Sequence, residues 1–345
     1  MFPKNKILIC GPCAAESEFQ LFETAKLIKQ LINPDFFRAG LWKPRTNPHT
    51  FEGLGKSGVF LLKKIETTFE MPVITEVACA KHIEIIENQN FSAYWIGART
   101  VSNPFSIKEI IEATKNKNTK IFIKNPIFPD IDLWTGIIER FLIEGFENII
   151  PVHRGFYPYE KTKLRNVPLW EIPIELKRRF PNLKIICDPS HITGDSNYIE
   201  EISQQAINLN FDGLMIESHF NPKIALSDNN QQVTPNQLSQ IIENLNPKNT
   251  FTDNQGFNMK IENLRKQIDD VDYQIIEKLI NRFNLTDEIG KLKKNNSVST
   301  LQIDRWNAIL NSRTKYIENE KLREDFLIKF LNLIHDESIR RQNEI

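Results

Sequence analysis

Two cysteines near the start of the chain, Cys10 and Cys13, stand in the spacing CxxC within the stretch ICGPCAAES. Such a pair can be a redox dithiol, half of a zinc site, or neither, because thiols at this spacing can form a disulfide or share a metal ion. The chain has only 4 cysteines among 345 residues. We therefore expect no disulfide framework and a cytoplasmic, reducing compartment.

The overall charge and hydropathy of the chain predict neither nucleic acid nor membrane partners. Lys+Arg and Asp+Glu both number 44, so the formal net charge is zero and any cationic site must be local. The first residues, MFPKNKILICG, hold too short an apolar run for a signal peptide. No apolar stretch reaches the roughly 18 residues that a membrane span requires.

Short apolar strands alternate with amphipathic helices over the first two-thirds of the chain. The predicted strands are KILIC (6–10), FFRAGLW (36–42), MPVITEV (71–77), AYWIGA (93–98), KIFIK (120–124), NIIPVH (148–153), KIICD (184–188) and GLMIESH (213–219). Between them, apolar residues recur at i, i+3 and i+4, which predicts helices. Eight such repeats in about 240 residues are typical of an α/β fold, the (β/α)8 TIM barrel. An open doubly wound sheet is the competing fold, but it usually has a glycine-rich first turn.

The strand pattern stops after Leu245. The following polar, turn-forming residues predict a linker at 249–258, which separates a barrel domain of residues 1–248 from a second domain of residues 259–345.

No strand signal remains in the second domain. From Met259 onward, apolar residues recur every three or four positions, which predicts a helix of about 30 residues. Two shorter helices are predicted near 303–318 and 321–343. A long helix with one apolar face and only short partners cannot readily bury that face alone. We therefore expect a small all-α, three-helix domain that dimerises.

The carboxyl ends of barrel strands are where barrel enzymes carry their chemistry. Cationic residues of this chain lie at or just after such ends: Arg38, Lys43, Arg45, Arg99, Lys124 and Arg154. Their convergence on one rim predicts a pocket for small anions, because guanidinium and ammonium groups bind carboxylates and phosphates. For any single one of these cations, the role of a solvated loop residue is an equally good interpretation.

A second group at the strand ends supplies sulfur, nitrogen and carboxylate oxygen. Its members are Cys13, His191, Glu217 and Asp228, from strands 1, 7, 8 and the following loop. Because the ends of these strands are neighbours in a closed barrel, the four side chains can surround one ion. The set suits a borderline divalent metal such as Mn, Fe, Co or Zn in an open site. The alternative is that these side chains only pack in the core. For a lone buried Cys or His, residue type by itself favours that alternative.

Short motifs along residues 6–245 stand in the order GPC, KPRT, TEV, IGAR, IK, HRG, DPSH, GLMIE and ALSD. Together they resemble 3-deoxy-D-arabino-heptulosonate 7-phosphate (DAHP) synthases, in the subgroup related to 3-deoxy-octulosonate 8-phosphate synthases. The resemblance implies metal ligands at Cys13, His191, Glu217 and Asp228. It implies phosphoenolpyruvate-binding cations at Arg38, Lys43, Arg99, Lys124 and Arg154, and sugar-phosphate contacts at Arg45 and Thr46. Cys13 is then a metal ligand, and Cys10 a small core residue.

The implied barrel reaction is the condensation of phosphoenolpyruvate with erythrose 4-phosphate, assisted by a divalent metal acting as a Lewis acid. The letters KPRT distinguish this chain from octulosonate enzymes, which typically have a KANR-type sequence there. A synthase that uses another sugar phosphate, such as arabinose 5-phosphate, is the alternative.

The segments LRKQIDDVDYQIIEKLINRF, IGKLKK, IDRW and IHDESIRRQ of the tail resemble the all-helical chorismate mutases. That family rearranges chorismate to prephenate without a nucleophile or cofactor, using cations around two carboxylates and an ether oxygen. The matching positions are Arg265, Arg282, Lys293, Arg305 and Gln342, of which Arg265 is implied to reach the partner's site in an intertwined dimer. Where the family often has a carboxylate for the substrate hydroxyl, this chain has Trp306, which cannot accept that hydrogen bond.

The two resemblances together predict a bifunctional shikimate-pathway enzyme that forms a homodimer or a higher homo-oligomer through the mutase domain. With the barrel predicted to start at residue 6 and no regulatory extension expected before it, chorismate or prephenate bound at the tail is expected to feed back on the synthase. The alternative is a helical tail that serves only for dimerisation or ligand sensing, with weak catalysis.

Overall fold

The computed structural model describes residues 2–3, 5–43, 49–160, 162–248, 251–317 and 321–345. It divides into two compact units, Met1–Thr250 and Phe251–Ile345. Within the described residues, no helix is both long enough and apolar enough to span a membrane.

The first unit is a closed barrel of eight parallel strands in the described part of the chain. The strands are β1 Ile7–Gly11, β2 Phe36–Arg38, β3 Val73–Val77, β4 Ala93–Ile96, β5 Lys120–Lys124, β6 Ile149–His153, β7 Ile186–Cys187 and β8 Gly213–Glu217. The helices are α1 Glu18–Leu31, α2 Lys56–Phe69, α3 Ala80–Glu87, α4 Ala98–Val101, α5 Pro104–Ala113, α6 Ile131–Ile143, α7 Glu171–Arg179, α8 Pro189–Thr193, α9 Ile199–Asn208 and α10 Pro235–Asn244. Because β1 pairs with both β2 and β8, the sheet closes, and the predicted (β/α)8 barrel is confirmed.

Several helices of the barrel begin at side chains that satisfy their free backbone N–H groups. The Asn103 side chain accepts from two N–H groups at the start of α5, and the Asp130 side chain accepts from Leu133 N in α6. Thr234 and Gln237 form a capping box at α10. These capping side chains bind the free N–H groups of the first helical turn, which fixes the residue at which each helix starts.

Two apolar layers make the core of the barrel. Alternate strand residues point inward and form one cluster: Ile9, Phe36, Ile74, Ala93, Trp95, Phe122, Ile150, Val152, Ile186 and Met215. The intervening residues pack outward against the helices. Because side chains of a strand alternate with a period of two, the next inward position towards the carboxyl end of several strands holds a charged residue. Those positions are Arg38, Glu76, Lys124, Asp188 and Glu217.

The second unit consists of α11 Gln255–Asn295, α12 Ile303–Tyr316 and α13 Glu324–Glu344. The first helix has 41 residues rather than the predicted 30. It begins four residues before Met259 because the Asn254 side chain accepts from Phe257 N and caps it there. The two shorter helices are confirmed.

His153 at the end of β6 faces the helix layer and is fully buried. Its ring lies among four aromatic rings, of Trp134, Phe156, Trp170 and Phe211, at centroid distances of 5.1 to 6.5 Å. Burial in this apolar shell lowers the pKa of His153 from 6.5 to about 3.

The lowered pKa of His153 predicts a specific loss of stability in acid. Between pH 6.5 and 3 the unfolded chain binds a proton at His153 that the folded chain does not. The stability that the neutral, buried His153 ring contributes is therefore complete above pH 6.5 and is lost as the pH falls. Relative to His153→Leu, the native chain should lose about 2 kcal/mol more unfolding free energy between about pH 7.5 and pH 5. Denaturant titrations measure this difference, and an identical pH dependence of the two proteins would contradict it.

Candidate active sites of the two units

A layer of buried charges closes the carboxyl end of the barrel. Arg38 donates to Glu217 Oε1 at 2.8 Å, and both side chains are fully buried. Lys124 Nζ donates to Asp188 Oδ2, also at 2.8 Å. The ring of Trp95 lies beneath both cations, with its centroid 4.9 Å from the Arg38 guanidinium carbon and 5.8 Å from Lys124 Nζ. Counter-charges and an aromatic face therefore hold these cations in place.

The Arg38 guanidinium has hydrogen-bonding capacity left over. Its Nε and NH1 atoms are buried, yet they have no partner within the described residues. Buried donors of this kind normally have a partner, so the two unmet donors in this layer of charges are available to an anion.

A cavity of about 240 Å³ lies at this end of the barrel. The cations that line it include Lys43, Arg99, Lys124, Arg154 and Arg165. Burial and the nearby Arg165 and Arg99 lower the pKa of Arg154 to about 10. Burial disfavours the charged form of this guanidinium, and a phosphate or carboxylate bound in the cavity would relieve that cost.

Two asparagines orient Arg154 within this cavity. Asn125 Oδ1 accepts from Arg154 N at 2.7 Å, and Asn166 Oδ1 accepts from Arg154 NH1 at 3.0 Å. Asn166 Nδ2 also donates to His191 O at 2.5 Å. One loop residue therefore ties Arg154 to the backbone of His191, a predicted metal ligand.

The four predicted metal ligands lie at the same end, in two pairs. Cys13 Sγ donates to Asp228 Oδ2 at 3.1 Å, and Lys43 Nζ lies 3.1 Å from Cys13 Sγ. His191 Nε2 lies 3.7 Å from Glu217 Oε1. In the described part of the chain, no group of three or more His, Cys, Asp or Glu residues has the arrangement of a metal site. The structure gathers the four side chains without arranging them around one centre.

The chemistry of these four residues nevertheless fits a divalent ion. The Asp188 carboxylate lies 2.8 Å from His191 Nδ1. A carboxylate at Nδ1 favours the tautomer with its proton there and leaves Nε2 to bind a metal. Burial and Glu217 raise the pKa of the Cys13 thiol to about 12. Thiolate formation therefore needs a strong cation beside the sulfur, which a bound metal provides.

Sequence reasoning missed two residues that connect the ligand pairs. Arg165 NH1 donates to Asp228 Oδ1 at 3.1 Å and to Gln231 Oε1 at 2.6 Å. Gln231 Nε2 in turn donates to Glu217 Oε2 at 2.7 Å. Arg165 lies in a loop and Gln231 in a one-turn 3-10 helix beyond the strand ends, where no periodicity marks a position. Two other predicted site residues, Arg45 and Thr46, lie outside the described residues.

A second cavity, of about 920 Å³, lies among the three helices of the second unit. It is lined by four of the predicted mutase residues, Arg282, Lys293, Arg305 and Gln342. It is also lined by Arg313, which sequence reasoning missed.

The basic groups of this cavity have uncharged partners. Arg282 NH1 donates to Ser338 Oγ at 2.7 Å, and Lys293 Nζ donates to Thr300 O at 2.6 Å. Since neither contact is to a carboxylate, the full charge of both groups remains to attract an anionic ligand.

Arg265 does not line this cavity. Its exposed guanidinium lies 3.8 Å from Glu262 Oε2, near the start of α11. Seventeen residues separate it from Arg282, which corresponds to about 25 Å along a helix. Within one copy of the helical unit, Arg265 and Arg282 therefore belong to different sites.

Each of the two units matches a known protein family. Residues 3–252 match the profile of the DAHP synthetase I family. The chain belongs to that family. Residues 264–343 match chorismate mutase type II. This DAHP synthetase I member is therefore an enzyme that carries a DAHP synthase (transferase) domain and a chorismate mutase (isomerase) domain.

Individual relatives resemble the barrel of this DAHP synthetase I member. Phospho-2-dehydro-3-deoxyheptonate aldolase of Thermotoga maritima is 28% identical over 245 residues, which covers 69% of this chain and 68% of the relative. A crystal structure of DAHP synthase from Thermotoga maritima matches with a TM-score of 0.63 and 27% identity, over 70% of this chain and 69% of that one. The 2-dehydro-3-deoxyphosphooctonate aldolase of Geobacter metallireducens is 23% identical over 263 residues, covering 69% of this chain and 90% of the relative.

The buried ion pair predicts a measurable coupling between Arg38 and Glu217. Arg38→Met leaves the Glu217 carboxylate buried without its cation and should lower the unfolding free energy by about 3–5 kcal/mol. The double variant Arg38→Met/Glu217→Gln removes the charge as well and should be clearly more stable than the single variant. Denaturant unfolding of the four proteins of this cycle measures the coupling, and equal instability of the single and double variants would contradict it.

Proposed function

We propose that the two units form a bifunctional shikimate-pathway enzyme. The barrel condenses phosphoenolpyruvate with erythrose 4-phosphate to DAHP and phosphate, and the helical unit rearranges chorismate to prephenate. The observation that carries the proposal is the cavity at the barrel mouth, where several cations adjoin a cluster of thiol, imidazole and carboxylate groups. The boundary between the two activities is proposed to lie within residues 249–258.

The cations at the barrel mouth match the charges of phosphoenolpyruvate. We assign its carboxylate and phosphate to the unmet donors of Arg38 and to Lys43, Lys124, Arg99 and Arg154. C3 of phosphoenolpyruvate then forms the new carbon–carbon bond with the aldehyde carbon of erythrose 4-phosphate. Water adds at C2, and the C2–oxygen bond to phosphate breaks, so that phosphate leaves. The cations would offset the negative charge that develops on the aldehyde oxygen and on the departing phosphate during these steps.

The cluster of Cys13, His191, Glu217 and Asp228 is proposed to hold one divalent ion, Mn, Fe, Co or Zn. When bound, such an ion polarises the aldehyde oxygen as a Lewis acid. The tautomer of His191 and the mixture of sulfur, nitrogen and oxygen donors support this assignment. The free thiols of all four cysteines fit a reducing cytoplasm. Arg45 and Thr46 are proposed to bind the sugar phosphate on the resemblance alone.

Removal of the metal is expected to abolish the barrel reaction. Phosphoenolpyruvate consumption with erythrose 4-phosphate should stop after EDTA treatment and return when Mn²⁺ is added. Cys13→Ala should bind metal at least about 10-fold more weakly and lose activity. Cys10→Ala is the matched control, because Cys10 packs in the outer core, and it should retain both. Metal content and rate are measured together, and activity indifferent to EDTA would contradict the assignment.

The helical unit is proposed to rearrange chorismate by holding it in a reactive shape. Arg282, Lys293 and Arg305 would bind the two carboxylates and the ether oxygen, with Gln342 completing the site. No nucleophile is required, because orientation and electrostatic stabilisation supply the catalysis.

A second copy of the chain is proposed to complete each mutase site. The first half of α11 exposes an apolar row that one helical unit leaves uncovered: Leu264, Ile268, Val271 and Ile275. Pairing of these rows in a homodimer would bury them and would carry Arg265 to the partner's cavity.

Mixing of two inactive variants tests this dimer. Arg265→Ala and Arg282→Ala should each abolish the mutase reaction as homodimers. Unfolding and refolding of an equal mixture should restore about a quarter of the native rate, because half of the dimers are mixed and each has one intact site. Chorismate loss measures the rate. If each site were built from one copy, the mixture would remain inactive.

A catalytically weak dimerisation or ligand-sensing tail is the second candidate function. It is favoured by one observation, that the indole of Trp306 occupies the cavity wall and stacks on His335 at 3.9 Å. Rapid chorismate loss by the full chain would exclude it.

Feedback from the helical unit to the barrel is also proposed. Saturating prephenate should lower the rate of phosphoenolpyruvate consumption by the full chain, because a ligand that binds one state of the enzyme shifts its population. Arg282→Ala should remove this effect without changing the rate in the absence of prephenate. An unchanged rate at saturating prephenate would contradict the proposal.

A further inference from the structure

His335 presents its imidazole to the cavity of the helical unit. On α13, His335 and Gln342 lie seven residues apart, with Ser338 and Ile339 between them, so one helix face lines the cavity. The imidazole stacks on the Trp306 indole, with ring centroids 3.9 Å apart and planes inclined by 12°. This contact fixes the plane of the ring.

The same face of α13 holds two polar atoms that have no protein partner. Within the described residues of the helical unit, the buried side-chain nitrogen and oxygen atoms that lack a hydrogen bond are His335 Nε2 and Gln342 Oε1. Ser338 Oγ, by contrast, donates to Ile334 O and accepts from Arg282. A buried polar atom without a partner destabilises the protein unless a ligand supplies one. Their position in the cavity wall indicates that the ligand does so.

The charge of His335 defines which ligand group it suits. Burial lowers the pKa of the imidazole, and Arg282 and Lys293 lower it further, although Asp336 opposes them. The ring is therefore neutral near pH 7. A neutral imidazole beside cations is a poor second site for a carboxylate, which the cations attract more strongly. It is a good partner for an uncharged hydroxyl group.

We propose that His335, held flat by Trp306, is the hydrogen-bond partner of the ring hydroxyl of the substrate, and so determines specificity in the mutase site. The inference rests on the proposed function of the helical unit. Trp306 cannot accept a hydrogen bond itself, and its role here is to position the imidazole.

Two substitutions separate hydrogen bonding from packing in the full-length enzyme. His335→Phe keeps a flat ring against Trp306 but removes the nitrogen, whereas His335→Gln keeps a polar group and loses the ring. Leu333→Val, on the same helix but exposed and outside the cavity, is the matched control. The rates are measured with chorismate and with an analogue in which hydrogen replaces the hydroxyl.

The expected result is a loss that depends on the hydroxyl. His335→Phe should lower kcat/KM for chorismate about 10-fold and leave kcat/KM for the analogue unchanged. His335→Gln should recover part of the loss, and Leu333→Val should behave as the native enzyme. An equal loss on both substrates, or no loss, would show that His335 only packs and would overturn the proposal.

If the native enzyme does not rearrange chorismate, ligand binding tests the hydrogen bond proposed for His335. In that case the proposed catalysis fails, and calorimetric titration with prephenate and with its counterpart lacking the hydroxyl replaces the rate assay. Tighter binding of prephenate by the native chain, lost in His335→Phe, would support the assignment. Equal dissociation constants for the two ligands in the native chain would overturn it.

Discussion

The ion pair between Arg38 and Glu217 is the interaction on which the active end of the barrel depends. It joins β2 to β8 across β1, with neither side chain exposed to water. Removal of both charges from water is costly, and the cost is offset only by the close contact and by further hydrogen bonds. Gln231 supplies one of these to Glu217, while Trp95 supports Arg38 from below. One carboxylate thereby anchors the anion cavity and belongs to the candidate metal cluster.

The two cavities of this chain use charge differently. In the barrel, the deepest cations, Arg38 and Lys124, are paired with carboxylates and cannot change position without leaving a buried charge. In the helical unit, the hydrogen-bond partners of Arg282 and Lys293 among the described residues are uncharged, so their charge is available to a dianion. The first arrangement provides the rigid scaffold that the proposed condensation of two reactants requires. The second suits a site whose task is to compress a single flexible dianion into one shape.

Much of the barrel was predictable because strand periodicity and fold geometry constrain it jointly. Alternation by two residues places Arg38, Lys124 and Glu217 inward once Phe36, Phe122 and Met215 are recognised as core. The closed sheet then brings the carboxyl ends of all strands to one face.

The features that sequence reasoning missed lie where no periodicity operates. Arg165 and Gln231 reach the ligand cluster from a loop and from a one-turn 3-10 helix, whose paths depend on tertiary contacts. The earlier start of α11, four residues before Met259, depends on a cap at Asn254. The stacking of His335 on Trp306 could not be predicted from the sequence either, because the two residues lie on different helices and meet only through packing.

Substrate choice by the barrel is the most direct test of the account. The full-length, metal-loaded enzyme is assayed for phosphoenolpyruvate consumption with erythrose 4-phosphate and, separately, with arabinose 5-phosphate. The account predicts a kcat/KM at least about 100-fold higher with erythrose 4-phosphate, a difference of about 2.7 kcal/mol in transition-state binding. A preference for arabinose 5-phosphate, or no reaction with either sugar phosphate, would contradict it.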